Sequence, residues 1–162
     1  MSRALKCPAP RGLVSLLTLI AFLVLCGPGA AHAQQTATLP TVQLGAGMHV
    51  ITAEVAANDS ARAQGLMYRK SLAPNHGMLF AFDQANVQCF WMRNTPLPLS
   101  IAFIQDDGVI VNIADMAPMT DTSHCSSAPV RYALEMEQGW FAKRGVGPGA
   151  TIGGLSTLPP AR

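Results

Sequence analysis

Short apolar runs broken by polar turns recur along most of this chain, a pattern of many short strands rather than of long helices. Residues 41–57 read as two strands around Gly45-Ala46-Gly47, and in the second of them His49, Ile51, Ala53 and Val55 share a face. Asn58-Asp59-Ser60 is a helix-start cluster. It opens a predicted helix from Ala61 to about Lys70, with Ala63, Leu66 and Met67 on one side and Arg62 and Arg69 on another. Gly65 inside it costs about 1 kcal/mol relative to Ala, which points to close packing there. After the loop Ala73–Gly77 come strands at Met78–Phe82, Val87–Asn94, Leu99–Ile104 and Val109–Ala114. Gln105-Asp106-Asp107-Gly108 joins the last two, and Asp-Gly between apolar runs is a strong hairpin signal. Val109, Val111 and Ile113 alternate with Asn112, as a half-buried strand would. Met116–Ser127 is polar and aperiodic, a long loop of the kind that often carries function. Val130–Met136 alternates again: Tyr132, Leu134 and Met136 face one way, Arg131, Ala133 and Glu135 the other. Gly139–Arg144 reads as one or two helical turns closed by Gly145, and Ala150–Ile152 as a final strand. No internal repeat is visible. The pattern predicts a mostly β protein, a small single-domain sandwich or barrel with one or two short helices.

The N-terminus has a different character. Arg3, Lys6 and Arg11 precede an uncharged run from Leu13 to Leu25, followed by Ala31-His32-Ala33. This is the layout of a cleavable export signal, with cleavage expected before Gln34. The run of 13 residues falls short of the roughly 20 that span a bilayer. An uncleaved signal would be the chain's only route to a membrane. Cys26 does not fit a lipidation site, because Leu25 before it is large. The expected organisation is a signal at 1–33, a flexible segment at 34–40, a β-rich domain at 41–155 and a tail at 156–162, placing the mature protein in the periplasm or outside the cell. All nine acidic residues but only eight of the eleven basic ones follow residue 33, so the mature chain carries −1. A near-neutral chain with scattered charges offers no footprint for nucleic acid or an anionic membrane. About 129 residues can bury a core without metals or staples.

Two cysteines survive cleavage, Cys89 and Cys125. Outside the cytoplasm such a pair is read first as a disulfide, and closing a loop of that length is worth about 4 kcal/mol. Two buried thiols, or a metal site, are the alternatives.

Several segments taken in order resemble a known bacterial family. They are Arg62 with Gly65-Leu66-Met67-Tyr68-Arg69, Gly77-Met78-Leu79-Phe80, Phe90-Trp91-Met92-Arg93-Asn94-Thr95, Pro98-Leu99, Ile101-Ala102-Phe103-Ile104, and Leu134-Glu135 with Gly139, Gly145 and Gly149. On them the chain is similar to the domain of unknown function 192 family over about residues 48–153. The resemblance implies a compact, mostly β fold with one or two short helices, and no activity or catalytic residue. The chain departs from the family pattern at Arg93, where Lys is frequent, and at Ser100 and Gln105, where acids are frequent.

Trp91, Arg93, Asn94 and Thr95 form the sharpest chemical cluster. If the segment is a strand, Trp91 and Arg93 lie on one side with Thr95 beyond them. A Trp face beside a guanidinium and an amide suits a small polar ligand such as a sugar or an acid. The plainer alternative has Arg93 packed over Trp91 and paired with an acid, while Asn94-Thr95-Pro96 shapes a turn. For Arg62 and Arg69 the plain reading is a solvated face or ion pairing with Glu54 or Glu135. Met116, Met119 and His124 beside Cys125 would suit a soft metal such as Cu(I), but a disulfide would remove the thiolate, so no metal and no cofactor is expected. Serine-hydrolase, zinc-protease and Walker motifs are absent. Asp115, Glu135 and Glu137 are candidate carboxylates in name alone. The expected role is non-catalytic: binding a small polar molecule or an envelope partner. The rival is a hydrolase or other enzyme using Arg93, Asn94 and a carboxylate on a polar or carbohydrate-like substrate. A third class, an assembly protein, would show a contiguous apolar patch.

Overall fold

A computed structural model describes residues 38–158. The expected export segment, its cleavage point after Ala33 and the last residues of the expected tail lie outside them. The strands are β1 (Thr41–Ala46), β2 (His49–Ala56), β3 (His76–Asn86), β4 (Cys89–Phe90), β5 (Leu99–Ile104), β6 (Ile110–Met116), β7 (His124–Cys125), β8 (Val130–Glu137) and β9 (Ile152–Gly153), with one α-helix, α1 (Asp59–Gln64). Seven strands form one curled sheet in the order β6-β5-β8-β3-β2-β1-β9. An antiparallel bridge between Val109 and Thr151 ties its two edges, so the sheet curls into a half-barrel and its edge groups find partners. Gly108 sits at this seam with φ +87°, where a Cβ would lie 2.5 Å from the Ile152 carbonyl oxygen. All neighbours are antiparallel except β2 and β3, which α1 connects as a parallel pair.

Because successive strand residues face opposite ways, the central strands build two cores. Leu79, Ala81, Ala102, Ile104, Leu134 and Met136 point inside the curl, where Trp140 and Phe141 close it. Met78, Phe80, Ile101, Phe103 and Ala133 point outward and are covered by Ala61, Leu66 and Met92. Each large apolar side chain removed from water in this way contributes roughly 1.5–3 kcal/mol. β3, β5 and β8 are therefore buried on both faces.

Several expectations are corrected. The predicted helix to Lys70 ends at Gln64, because Gly65 takes φ 48° as its cap and packs against Phe80. Arg62 and Arg69 consequently do not share a helical face. The predicted strand Val87–Asn94 shrinks to Cys89–Phe90. Asn94 has a left-handed backbone (φ 60°), and Pro96 and Pro98 bring no N–H donors. The long loop contains β7, paired with β4, while Met116 closes β6. A register irregularity between Phe103 and Ile104 also breaks the expected alternation: Ile113 packs on the inner core and Val111 on the outer.

Candidate functional site

A disulfide between Cys89 and Cys125 joins β4 to β7. It pins a flap of non-repetitive chain over the outward face of the sheet. Further backbone bonds knit that flap to its neighbours. The Met92 N–H donates to the Thr120 carbonyl at 2.9 Å, Met119 to Thr95 at 3.1 Å and Tyr68 to Asn94 at 2.8 Å. Tyr68, Asn94 and Met119 all have positive φ, a conformation that costs non-glycine residues about 1–2 kcal/mol. Three strained loops are thus held together at one place.

Between this flap and α1 lies a cavity of about 150 Å³. An apolar cavity of about that volume can accept a benzene-sized molecule. Its walls include Phe80, Phe82, Phe90 and Trp91, with Thr95 and Glu135 among the polar residues. Phe90 meets Phe80 edge-to-face at 4.9 Å and Phe103 at 5.9 Å, contacts worth about 0.5–1.5 kcal/mol each beyond area burial. At the rim Arg62 lies 5.5 Å from the Phe82 ring centre. Its Nη1 donates to the Ala81 carbonyl (2.8 Å) and its Nη2 to Asp59 (2.6 Å).

Glu135 is the unusual member. It sits on β8 between Met78 of β3 and Ile101 of β5, on the outward face with Ala133, and is only 4% exposed. Desolvation by burial pushes its carboxyl up to about 8, so it is neutral across the acidic and neutral range.

The sequence-predicted residues fall into two groups. Trp91, 44% exposed, and buried Thr95 both line the cavity. Arg93 stacks its guanidinium 4.2 Å from the Trp91 ring centre and donates from Nε to Asp121 at 2.8 Å. That hydrogen bond raises the Arg93 pKa and lowers that of Asp121. Asn94 shapes the turn and accepts from Tyr68 through its backbone. This is the plainer of the two arrangements the sequence allowed for this segment. Arg69 donates to Glu54 at 2.6 Å, one of its two expected partners, and Arg62 to Asp59 rather than Glu135. The three soft ligands do not present a common face to solvent: Met116 is fully buried in the outer core, while Met119 is 63% exposed. Among the described residues no group of three or more His, Cys, Asp or Glu is placed to hold a metal ion. Asp115 accepts a hydrogen bond from buried Ser100 (2.5 Å), which itself accepts one from the Gly139 N–H (2.8 Å). Glu137 borders a separate cavity of about 200 Å³ with Lys70 and Leu97.

Sequence reasoning named Glu135 only as one of three candidate carboxylates, without a site, and passed over Phe80 and Phe90. A signal for the first was present: one acid in the otherwise apolar run Tyr132–Met136, at a position of a strand that both neighbours bury. Only the pairing of β8 between β3 and β5 gives that signal its meaning.

No curated protein matches the chain. Solved structures similar to it include these two. One is described as that of a candidate transcription regulator from Sinorhizobium meliloti 1021, 41% identical, with TM-score 0.66, covering 73% of this chain and 94% of that one. The other is a protein of unknown function from Novosphingobium aromaticivorans DSM 12444, 29% identical, with TM-score 0.64, covering 73% and 88%. The DUF192 family model, described as an uncharacterized ACR, matches residues 41–154. A match over that much of the chain, with the same half-barrel beneath it, makes this protein a member of the DUF192 family.

Proposed function

We propose that the protein is an exported, non-catalytic binding module that takes a small molecule, apolar in body with one polar group, in the cavity beneath Trp91. The carrying observation is an aromatic-walled cavity with one buried carboxyl facing into it. Such a site offers shape and stacking to the body of a ligand and one hydrogen-bonding group to its head. The Cys89–Cys125 bridge supports export, since structural disulfides persist where thiols oxidise. The enzyme reading through Arg93 and Asn94 has less support. Arg93 is engaged by Trp91 and Asp121, and neither Arg93 nor Asn94 lines the cavity. A shifted carboxyl is a feature of catalytic acids, yet the cavity lining brings no second carboxylate, no imidazole and no free thiol to Glu135.

The test is a screen of benzene-sized fragments by protein-observed NMR. Binding should shift the Trp91 indole N–H and the backbone amides of residues 62–67 while leaving the Trp140 indole, on the inner core, unmoved. A broad fragment set that never perturbs those amides would remove the proposal.

A further inference from the structure

We propose that the ligand head group recognised in this cavity is a small organic cation, an alkylammonium, seated between the aromatic walls and the Glu135 carboxylate. This deepens, and rests on, the binding role proposed above.

The first argument is charge balance at the site. Arg62 lines the cavity and Arg93 stacks on Trp91 of its wall, and each already has an acid: Arg62 has Asp59 at 2.6 Å and Arg93 has Asp121 at 2.8 Å. Glu135 faces the cavity with no such salt bridge. Arg62, from α1, is the other charged residue in the cavity lining; β3 contributes Phe80 and Phe82, and β4 contributes Phe90 and disulfide-bonded Cys89. A cation entering the cavity would supply the charge that Glu135 needs in order to ionise there. An anion would meet a wall rich in aromatic rings and the carboxyl of Glu135, which repels it once ionised.

The second argument is the rings themselves. Aromatic faces attract cations through their quadrupole, and the attraction grows when the site is desolvated. The protein already uses the rings this way. Arg62 lies over Phe82 and Arg93 over Trp91, at 5.5 and 4.2 Å. Phe80 and Phe90 continue the same wall inward at an interplanar angle of 80°. Phe80, Phe90 and Glu135 line the same cavity, and aromatic rings beside a carboxyl suit a compact, alkylated ammonium better than a strongly hydrated group. Because burial holds Glu135 protonated until the pH approaches 8, a permanently charged ligand must displace that proton, and its affinity should rise with pH.

The experiment titrates the full-length protein with choline, its uncharged carbon analogue dimethylbutanol, and the anionic analogue dimethylbutanoate. Calorimetry gives affinity, and the Trp91 indole signal reports the site. At about pH 9 choline should bind about tenfold more tightly than dimethylbutanol, and dimethylbutanoate should not bind. Lowering the pH to about 6 should weaken choline by about tenfold or more and leave dimethylbutanol unchanged. Glu135→Gln, its fold checked by thermal melting, should erase both the choline preference and its pH dependence while still binding dimethylbutanol. Equal affinity for choline and dimethylbutanol, or tighter binding of dimethylbutanoate, would overturn the cation inference and leave the cavity as a binding site. The same holds for a choline preference that survives in the Gln variant. If none of the three perturbs Trp91 in the folded protein and the fragment screen is also silent, the binding role itself falls.

Discussion

Glu135 should make the fold less stable as the pH rises, and Glu135→Gln should abolish the effect. In the folded protein its carboxyl titrates at about 8, against 4.5 for the exposed group. Below about pH 4.5 the folded and unfolded chains both hold the proton, and the residue contributes no pH dependence. Between the two values the unfolded chain releases the proton and the folded chain keeps it, so unfolding becomes progressively easier. Above about pH 8 both states are ionised and the full penalty is in place. Each pH unit in the window is worth about 1.4 kcal/mol. The loss is therefore about 3 kcal/mol by pH 7 and about 5 kcal/mol once the pH passes 8. Against a total stability of roughly 5–15 kcal/mol this is large. Glutamine keeps the shape and a polar head but cannot ionise. It should match the wild type at about pH 4 and exceed it by about 3 kcal/mol at pH 7. Urea unfolding of both proteins across about pH 4–9, with slopes unchanged, measures the difference directly. A constant difference across that range would refute the reasoning, because a carboxyl held in water has no reason to diverge from its unfolded value.

Other perturbations test the frame around the site. Reducing the disulfide, or replacing Cys89 and Cys125 by Ser, should cost about 4 kcal/mol for a closed loop spanning a separation of 36 residues. It should also broaden the NMR signals of Phe90 and Trp91, which a rigid flap without the bridge would not show. Gly77→Ala would place a Cβ 2.3 Å from the Glu135 carbonyl oxygen. The Met136 sulfur on the other side can swing away, but the Glu135 backbone cannot, so a loss of about 3 kcal/mol is expected in thermal or urea melts, and a near-neutral result would argue against the β3–β8 register. Phe80→Ala should cost about 3–5 kcal/mol and release Gly65, whose cap leans on that ring. Breaking the half-exposed Arg69–Glu54 pair should change stability by less than about 1 kcal/mol, and a larger change in a double-mutant cycle would assign that pair a structural role.

Much of the fold could be read from local pattern. Alternation in β2 and β8, the Asp107-Gly108 turn and the glycine-marked β1–β2 hairpin are decided by neighbours in the chain. The strand period sorts their side chains correctly into two faces, including Glu135 opposite Leu134 and Met136. The pairing of Cys89 with Cys125 was legible from their number and from the export that the N-terminal pattern led one to expect. Three things were not. Where α1 ends depends on Phe80, which arrives from β3 to fill the space over Gly65. Where β4 ends depends on the turn at Asn94, on hydrogen bonds donated by residues 68 and 119, and on the one that Met92 donates to residue 120. That Glu135 is buried and lines an aromatic-walled cavity depends on β3 and β5 flanking β8, and on the flap above it.

The sequence by itself determined that this is a mostly β domain, which residues share each strand face, and that two cysteines stand ready to be joined. Those properties follow from backbone stereochemistry and the alternation of side chains over a few residues. Tertiary structure alone decided that both faces of the central strands are covered, and so turned one acid among many into a buried, neutral group walled by rings. Burial is a property of what distant segments place overhead, and a carboxyl's charge responds to that cover rather than to its neighbours in the chain.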